Sequence, residues 1–495
     1  MNRRELLMSG SSLLAWLATS GLVSAANAQT AAGQMDGEEL SLPPLLDARS
    51  GPIRLEATAG TTVFAGGAPS STMGFNQTYL GPTVLLRRGT NIPVRIENGV
   101  NGPITLHWHG LTVPSSADGG PGTEIAPGAG RDVELPVSQP AATHWYHTHV
   151  HGRTAPDVYA GLAGAVIIQD DDEAGIELPR TYGVDDFVLI LQDKRFDSSG
   201  RAVYEPGMMD VMHGFRGDAI LVNGQLRPIA KAPRGLTRLR LINAATSSPF
   251  DLSLESGRPF VLIGVDQGLL DAPVAVSRVL LAPGERVELL VDLRLGEDRL
   301  MAASQSSMGM GGMMGGMGGM MGSDDGSAVL LTLVPDDSQE AAVTTMPERL
   351  PGSMVAIAAT GARRRFLLDE GMGPMNMVRG LLGGSPVMTI NGKPYEIDRV
   401  DFSIPVGAQE HWTVVANQMA HPFHVHGAKF QVLRNGGREP RPEERGWKDT
   451  VLVNGEVELA VSIDAETSEG LPFVFHCHIL EHEDAGMMGQ FTTQV

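Results

Sequence analysis

Eight of the fourteen histidines fall into four His-x-His pairs: His107 and His109 around Trp108, His147 and His149 around Thr148, His424 and His426 around Val425, His476 and His478 around Cys477. Imidazole suits copper, zinc, iron and nickel alike, so this clustering indicates a metal centre without selecting the metal. On a strand, residues two apart project from one face, so each pair presents two imidazoles together and turns the residue between them away. Four pairs can line one cavity. Cys477, the sole cysteine, therefore faces a second place, toward His421, His482 and Met487. Two imidazoles, a thiolate and a weak thioether are the donors of a blue-copper electron-transfer centre. An electron arriving at Cys477 has one residue of backbone to cross to reach His476 or His478. Four such arrivals can supply a multinuclear cluster that reduces dioxygen to water. His144, His151, His213 and His411 are left without a role. Because His213 is the sole histidine between residues 152 and 410, the middle of the chain is expected to be a spacer without catalytic metal.

The elements that must position these residues are strands. With 61 Gly, 32 Pro and 19% charged residues in 495, turns and short strands are favoured over long helices, and disorder is excluded. Period-two alternation predicts half-buried strands at Ile92, Val94 and Ile96, at Leu239 and Leu241 between arginines, at Val287, Leu289 and Val291, and from Val400 to Val406. Asn98, Asn243 and Asn417 each close a strand-like run, at domain-sized spacings, and Asn223-Gly224 and Asn391-Gly392 form a second echo. Asp170 to Glu173 and residues 335–350 read as linkers. The expected division is a leader over 1–28 followed by domains at 29–180, 181–350 and 351–495.

Arg3 and Arg4 precede an apolar stretch from Leu13 to Ala25 that ends in a small-x-small pattern at Ala26-Asn27-Ala28, which reads as a cleaved export signal of the twin-arginine type. A periplasmic protein follows, with no membrane anchor after processing. The formal charge of −20 repels nucleic-acid phosphates and anionic lipids, and cations are the better guests. No assembly motif is visible, so a monomer is expected. Residues 308–321 hold seven methionines and seven glycines, a loop whose soft thioethers suit capture of Cu(I).

The sequence resembles the three-domain multicopper oxidases through His-Trp-His-Gly110, His-Trp-Tyr-His-Thr-His149, His-Pro-Phe-His-Val-His-Gly427 and His-Cys-His-x3-His-x4-Met487. The resemblance covers residues 40 to 495 and implies an all-β fold of three cupredoxin-like Greek-key sandwiches holding four copper ions. It implies that His421, Cys477, His482 and Met487 hold the type-1 copper and that His107 and His424 hold the type-2 copper. His109, His147, His149, His426, His476 and His478 would share the two type-3 coppers. Asp118, in Asp-Gly-Gly-Pro, resembles the family's acidic residue beside the cluster, and Glu483 a second one on a proton route. Within the family the export signal, the Glu-His-Glu-Asp-Ala-Gly-Met-Met ending and the methionines resemble bacterial periplasmic cuprous oxidases of the CueO type. That likeness implies Cu(I) as substrate and dioxygen as oxidant. The chain departs from that pattern in having Asn417 four residues before His421 and in placing its long Met/Gly tract before residue 351. Asp369, Met372 and Met419 are the expected substrate-copper residues. The alternatives are a laccase acting on phenols or aromatic amines, and a copper-storing or division-associated scaffold without turnover.

Overall fold

The computed structural model describes residues 37–49, 51–303, 327–352, 354–371 and 386–494. The segment read as an export signal, the 308–321 tract and Met372 lie outside the described residues.

Among the described residues, five sheets make three successive units. In the first, the strands Leu45–Asp47, Thr83–Arg87, Ala163–Gln169 and Ala142–His147 form one four-stranded sheet. The strands Ser70–Phe75, Ile53–Thr62, Asn91–Asn98 and Gly130–Pro136 form the other. Leu55, Val94 and Ile96 from one sheet meet Val84, Val166 and Ile168 from the other in a single buried core. The second unit packs a seven-stranded sheet on a five-stranded one, with Leu189, Leu239 and Leu289 facing Leu252, Leu300 and Leu331. The third is an eight-stranded sheet built around the long strands Gln409–Val425 and Thr450–Ile463.

The alternation at 92–96 is that of a half-buried strand, as expected. The strands Leu236–Asn243 and Arg286–Asp292 are not half-buried: nearly every residue in them is buried on both faces. Their charged faces are covered by the first unit. Arg238 donates to Glu288 and Glu173, and Arg240 donates to Asp186 and to Thr143 of the strand that carries His147. Arginines read as solvent-facing are instead paired in a buried junction, where a charge persists only if it is matched. Glu173 is one of those partners. The segment read as a linker there is a helical turn, Asp171–Ala174, capped by the Asp170 side chain. An apolar seam of Leu85, Trp145 and Ile167 against Val188 and Ile190 completes the contact between the first two units.

The asparagine echoes have a structural meaning. Asn223 and Asn391 both sit at positive φ, and each side chain bridges two backbone groups of the neighbouring strand. Asn76 does the same in the first unit, but Gln77 follows it instead of glycine, which hid it from the sequence pattern. Asn98 and Asn243 are buried and hydrogen-bonded to the loops that follow them. Asn417 differs: it is exposed, inside the irregularity that interrupts the Gln409–Val425 strand between Ala416 and His421.

Candidate metal centre

Strand register brings the histidine pairs together. His107 and His147 face each other across an antiparallel bridge, and His424 lies opposite His476 with Phe423 opposite Cys477. The pairs do not lie wholly within strands. His147, His424 and His476 belong to strands, whereas His149, His426 and His478 follow just beyond the strand ends. The alternation persists across each end, so Trp108, Val425 and Cys477 point into the cores while the imidazoles face a common cavity. His107 stacks on His426 and His109 on His424, each pair with centroids 3.7 Å apart, which joins the first unit to the third.

The ligand atoms of His109, His147 and His478 lie within 4.8 Å of one another, as do those of His149, His426 and His476. His107 and His424 form a third group with His109. All eight rings are buried. Four of them have the outward nitrogen occupied: His107 Nδ1 by the Asp118 carbonyl, His147 Nδ1 by that of Thr148, His424 Nδ1 by that of Asp449 and His476 Nδ1 by that of Cys477. The inward Nε2 atoms of His107, His147 and His424, and both ring nitrogens of His478, have no hydrogen-bond partner. His109 is turned the other way, with Nε2 toward Asp449 and Thr450 and Nδ1 unpartnered. His476 Nε2 stands 3.2 Å from His149 Nε2 and 3.4 Å from His426 Nε2. Burial, and then mutual repulsion, hold six of these rings (His109, His147, His149, His426, His476 and His478) well below the ordinary imidazole range, hence neutral. Neutral imidazoles with a fixed outer nitrogen and an orphaned inner one fit metal ions.

Carboxylates anchor the rings. Asp118 is buried at the end of the short helix Ser115–Asp118, and its Oδ2 accepts from His426 Nδ1 at 2.7 Å. Glu483 is fully buried between two rings, 3.2 Å from His476 Nδ1 and 3.5 Å from His149 Nδ1, and accepts from Thr154 Oγ1 at 2.6 Å. Burial, reinforced by Asp484, pushes it well above the usual carboxyl range.

Asp449 was not anticipated. Its backbone oxygen accepts from His424 Nδ1 at 2.9 Å, and its Oδ1 lies 3.1 Å from His109 Nε2. The same carboxylate takes both arms of Arg286 at 2.7 and 2.6 Å and Gln267 Nε2 at 2.6 Å. Burial opposes the charge, and the Arg286 guanidinium outweighs it, holding Asp449 well below the usual range. Arg286 and Gln267 come from the middle unit, so that unit is not merely a spacer. The glycine of His-Trp-His-Gly110 has φ +94°, and a Cβ there would stand 2.6 Å from Arg286 Nη2. His144 lies in the same junction, 3.3 Å from Arg286, and burial, then Arg286, takes it down to about 3. His151 packs edge-on against Tyr395, and His411 lies 3.1 Å from Glu458 Oε2.

At the second site, His421 Nδ1 lies 3.3 Å and His482 Nδ1 3.7 Å from Cys477 Sγ, with 3.2 Å between the two nitrogens. Met487 is buried in the same core cluster as Cys477. Burial keeps the thiol protonated well above its ordinary range, and a soft cation displaces that proton on binding. The outer nitrogen of His421 meets Glu370 Oε1 at 2.6 Å; that of His482 meets the Met212 carbonyl at 3.2 Å. Asp369 is not the carboxylate on His421: it ends the strand Arg363–Asp369 and accepts from the Gly371 backbone. Met419 packs, partly buried, against the Cys477 core.

Residues 56–173 and 369–495 match sequence profiles described as multicopper oxidase. The chain belongs to the multicopper oxidase family. Its fold is the all-β, cupredoxin-like one that the sequence implied, and its family binds copper. The cell division protein FtsP of Dickeya dadantii (strain 3937) is 38% identical over 97% of this chain and 98% of its own. A bacterial laccase-like multi-copper oxidase CueO from Ochrobactrum sp., described as having oxidase activity towards lignin model compounds and lignosulfonate, is 39% identical. It superposes with a TM-score of 0.84 over 92% of this chain and 100% of that one. The McoA multicopper oxidase of Aquifex aeolicus is 32% identical with a TM-score of 0.79, covering 93% of this chain and 100% of that one.

Proposed function

We propose that the chain is a periplasmic cuprous oxidase, monomeric, in which four oxidations of Cu(I) to Cu(II) reduce one dioxygen to two waters. The observation that carries an oxidase is Cys477, flanked by His476 and His478, so that one strand end joins the thiolate site to the histidine cavity. In this reading His421, Cys477, His482 and Met487 hold type-1 copper, and His107 and His424 hold type-2 copper. The two type-3 coppers take His109, His147 and His478, and His149, His426 and His476. Bound copper supplies one-electron acceptance from the donor and the reduction of dioxygen. Asp118 orients His426, and Glu483 holds a proton between His149 and His476. Domains 29–180, 181–350 and 351–495 would follow a twin-arginine leader, and the 308–321 tract would gather Cu(I). Methionine enrichment favours Cu(I) over organic donors as substrate.

Two other readings have support. The laccase-like neighbour favours phenolic donors, and the relatives named cell division protein favour a division role. Oxygen uptake by the copper-loaded chain without residues 1–28, given chelated Cu(I) or a methoxyphenol with and without added Cu(II), separates them. Fast uptake with Cu(I), and with the phenol only when Cu(II) is added, is the expected result. Copper-independent phenol oxidation makes it a laccase, and no uptake with either donor makes it a scaffold.

A further inference from the structure

We propose that the exposed face of the helix Met208–His213, in the middle unit, is the docking site for substrate Cu(I), held by Met209 and His213 beside Met208. The proposal rests on the cuprous-oxidase reading. At about 100° per residue, Met209 and His213 lie about 40° apart on one side of the helix, and Met208 lies about 100° from Met209. Met208 and Met209 are 48% and 65% exposed, and His213, one turn beyond Met209, is exposed as well. Met212 turns inward and packs against the core that contains Cys477.

The helix is pinned where it stands. Asp210 accepts from the Gly207 backbone at 2.8 Å and from Arg195 Nη2 at 2.9 Å. Arg195 also donates to the Arg216 carbonyl and lies 4.1 Å over the Phe215 ring. Gly214, at φ +82°, lets the chain press against Ser247 and Ile479: a Cβ there would stand 2.3 Å from Ser247 Cβ and 3.2 Å from Ile479 Cγ2. The Met212 carbonyl accepts from His482 Nε2 at 3.2 Å. Of the two imidazoles beside Cys477, His421 has its outer nitrogen closed off by the buried Glu370, whereas His482 is one hydrogen bond from this surface helix.

The chemistry of the face selects the ion. Thioether and imidazole are soft donors suited to Cu(I), and the one carboxylate on the helix is engaged by Arg195. Cu(I) held there loses one electron through the Met212 carbonyl and the N–H of His482. The harder Cu(II) is then poorly matched to thioethers and leaves. Four such electrons and four protons convert dioxygen, the oxidant of the proposed reaction, to two waters.

Silver(I), a redox-inert stand-in for Cu(I), tests the site in the copper-loaded full chain by competition with a chromophoric chelator. The variants are Met208→Leu/Met209→Leu/His213→Gln and, separately, Met419→Leu. Copper content and the blue absorption of the thiolate centre report that the resident sites are filled. The triple variant is expected to lose one tight silver site, and its KM for Cu(I) to rise by about tenfold or more. Unchanged silver binding in the triple variant, with a KM moved only by Met419→Leu, overturns the proposal. If the unaltered protein takes up no oxygen with Cu(I), the oxidase reading fails, while the silver titration still decides whether the helix binds a soft monovalent ion.

Discussion

Replacing Arg286 by Met would remove two hydrogen bonds from a carboxylate that is fully buried. Removing one partner of a buried ion pair costs about 3–5 kcal/mol, because the remaining charge is left uncompensated. At about 2–4 °C per kcal/mol for a unit of this size, the unit's melting temperature in the metal-free chain falls by about 6–20 °C. Asp449 also fixes His109 through its side chain and His424 through its carbonyl, so the change reaches the cavity. On the proposed copper assignment, copper analysis and electron paramagnetic resonance should show loss of metal from the histidine cluster, with the blue absorption expected at Cys477 retained. Arg286→Lys, which keeps the charge but not the planar fork, should fall between. A double-mutant cycle with Asp449→Asn isolates the pair, with a coupling of about 2–3 kcal/mol. Calorimetry of the metal-free proteins is the assay. A loss below about 1 kcal/mol in Arg286→Met, with copper content and resonance unchanged, refutes the claim that the middle unit holds the cluster in place.

On the proposed oxidase reading, Asp118→Asn keeps an acceptor for His426 but replaces the carboxyl group; dioxygen turnover should fall by about 10²–10⁴-fold, while anaerobic reduction of the Cys477 centre keeps its rate. Equal slowing of both half-reactions in stopped flow would contradict that division. Glu370→Gln removes a negative charge 2.6 Å from His421 and should raise the reduction potential of the thiolate centre, as read by redox titration of its absorption. A potential that stays put means the carboxylate only packs. Burial pushes Glu481 up to about 7, from 4.5, so its contribution to stability is present below about pH 4.5 and lost as pH rises through 7. The change is about 3 kcal/mol, and Glu481→Gln should therefore gain on the parent chain between pH 5 and 8 in metal-free denaturation. A constant difference across that range disproves the assignment.

The histidine and cysteine clusters were legible because their chemistry is rare and their spacing is local. A cysteine between two histidines needs only strand alternation to define two sites back to back, and the register of Phe423–Val425 on Phe475–Cys477 delivers that arrangement. What holds the ligands was not legible. Arg286 and Asp449 are 163 residues apart, and each is one charge among many; nothing local separates Arg286 from the exposed Arg299. Glu370 stayed hidden for a smaller reason: Asp369, one residue earlier, was the carboxylate expected near the substrate, and strand alternation places its neighbour on His421 instead.

The misread arginines show why alternation alone misleads at a junction between units. Arg-Leu-Arg-Leu is the pattern of a strand with one wet face, and Leu239 and Leu241 do face the core of their own unit. The opposite face meets another unit, so Arg238 and Arg240 keep their charges only because Glu173, Asp186 and Glu288 come with them. Thr143 closes that network from the strand that ends in His147, donating to Glu288 at 2.6 Å. The junction is directional as well as matched, since each guanidinium and the hydroxyl must meet its acceptor at once. It therefore fixes how the second unit lies on the strand of a cluster histidine, and from that placement Arg286 reaches Asp449. Apolar seams such as Trp145 against Ile190 would tolerate a slide of the two sheets; the charged contacts do not. The middle unit carries no ligand of the histidine cluster among its described residues, yet its register against the first unit is a condition for the cluster's geometry.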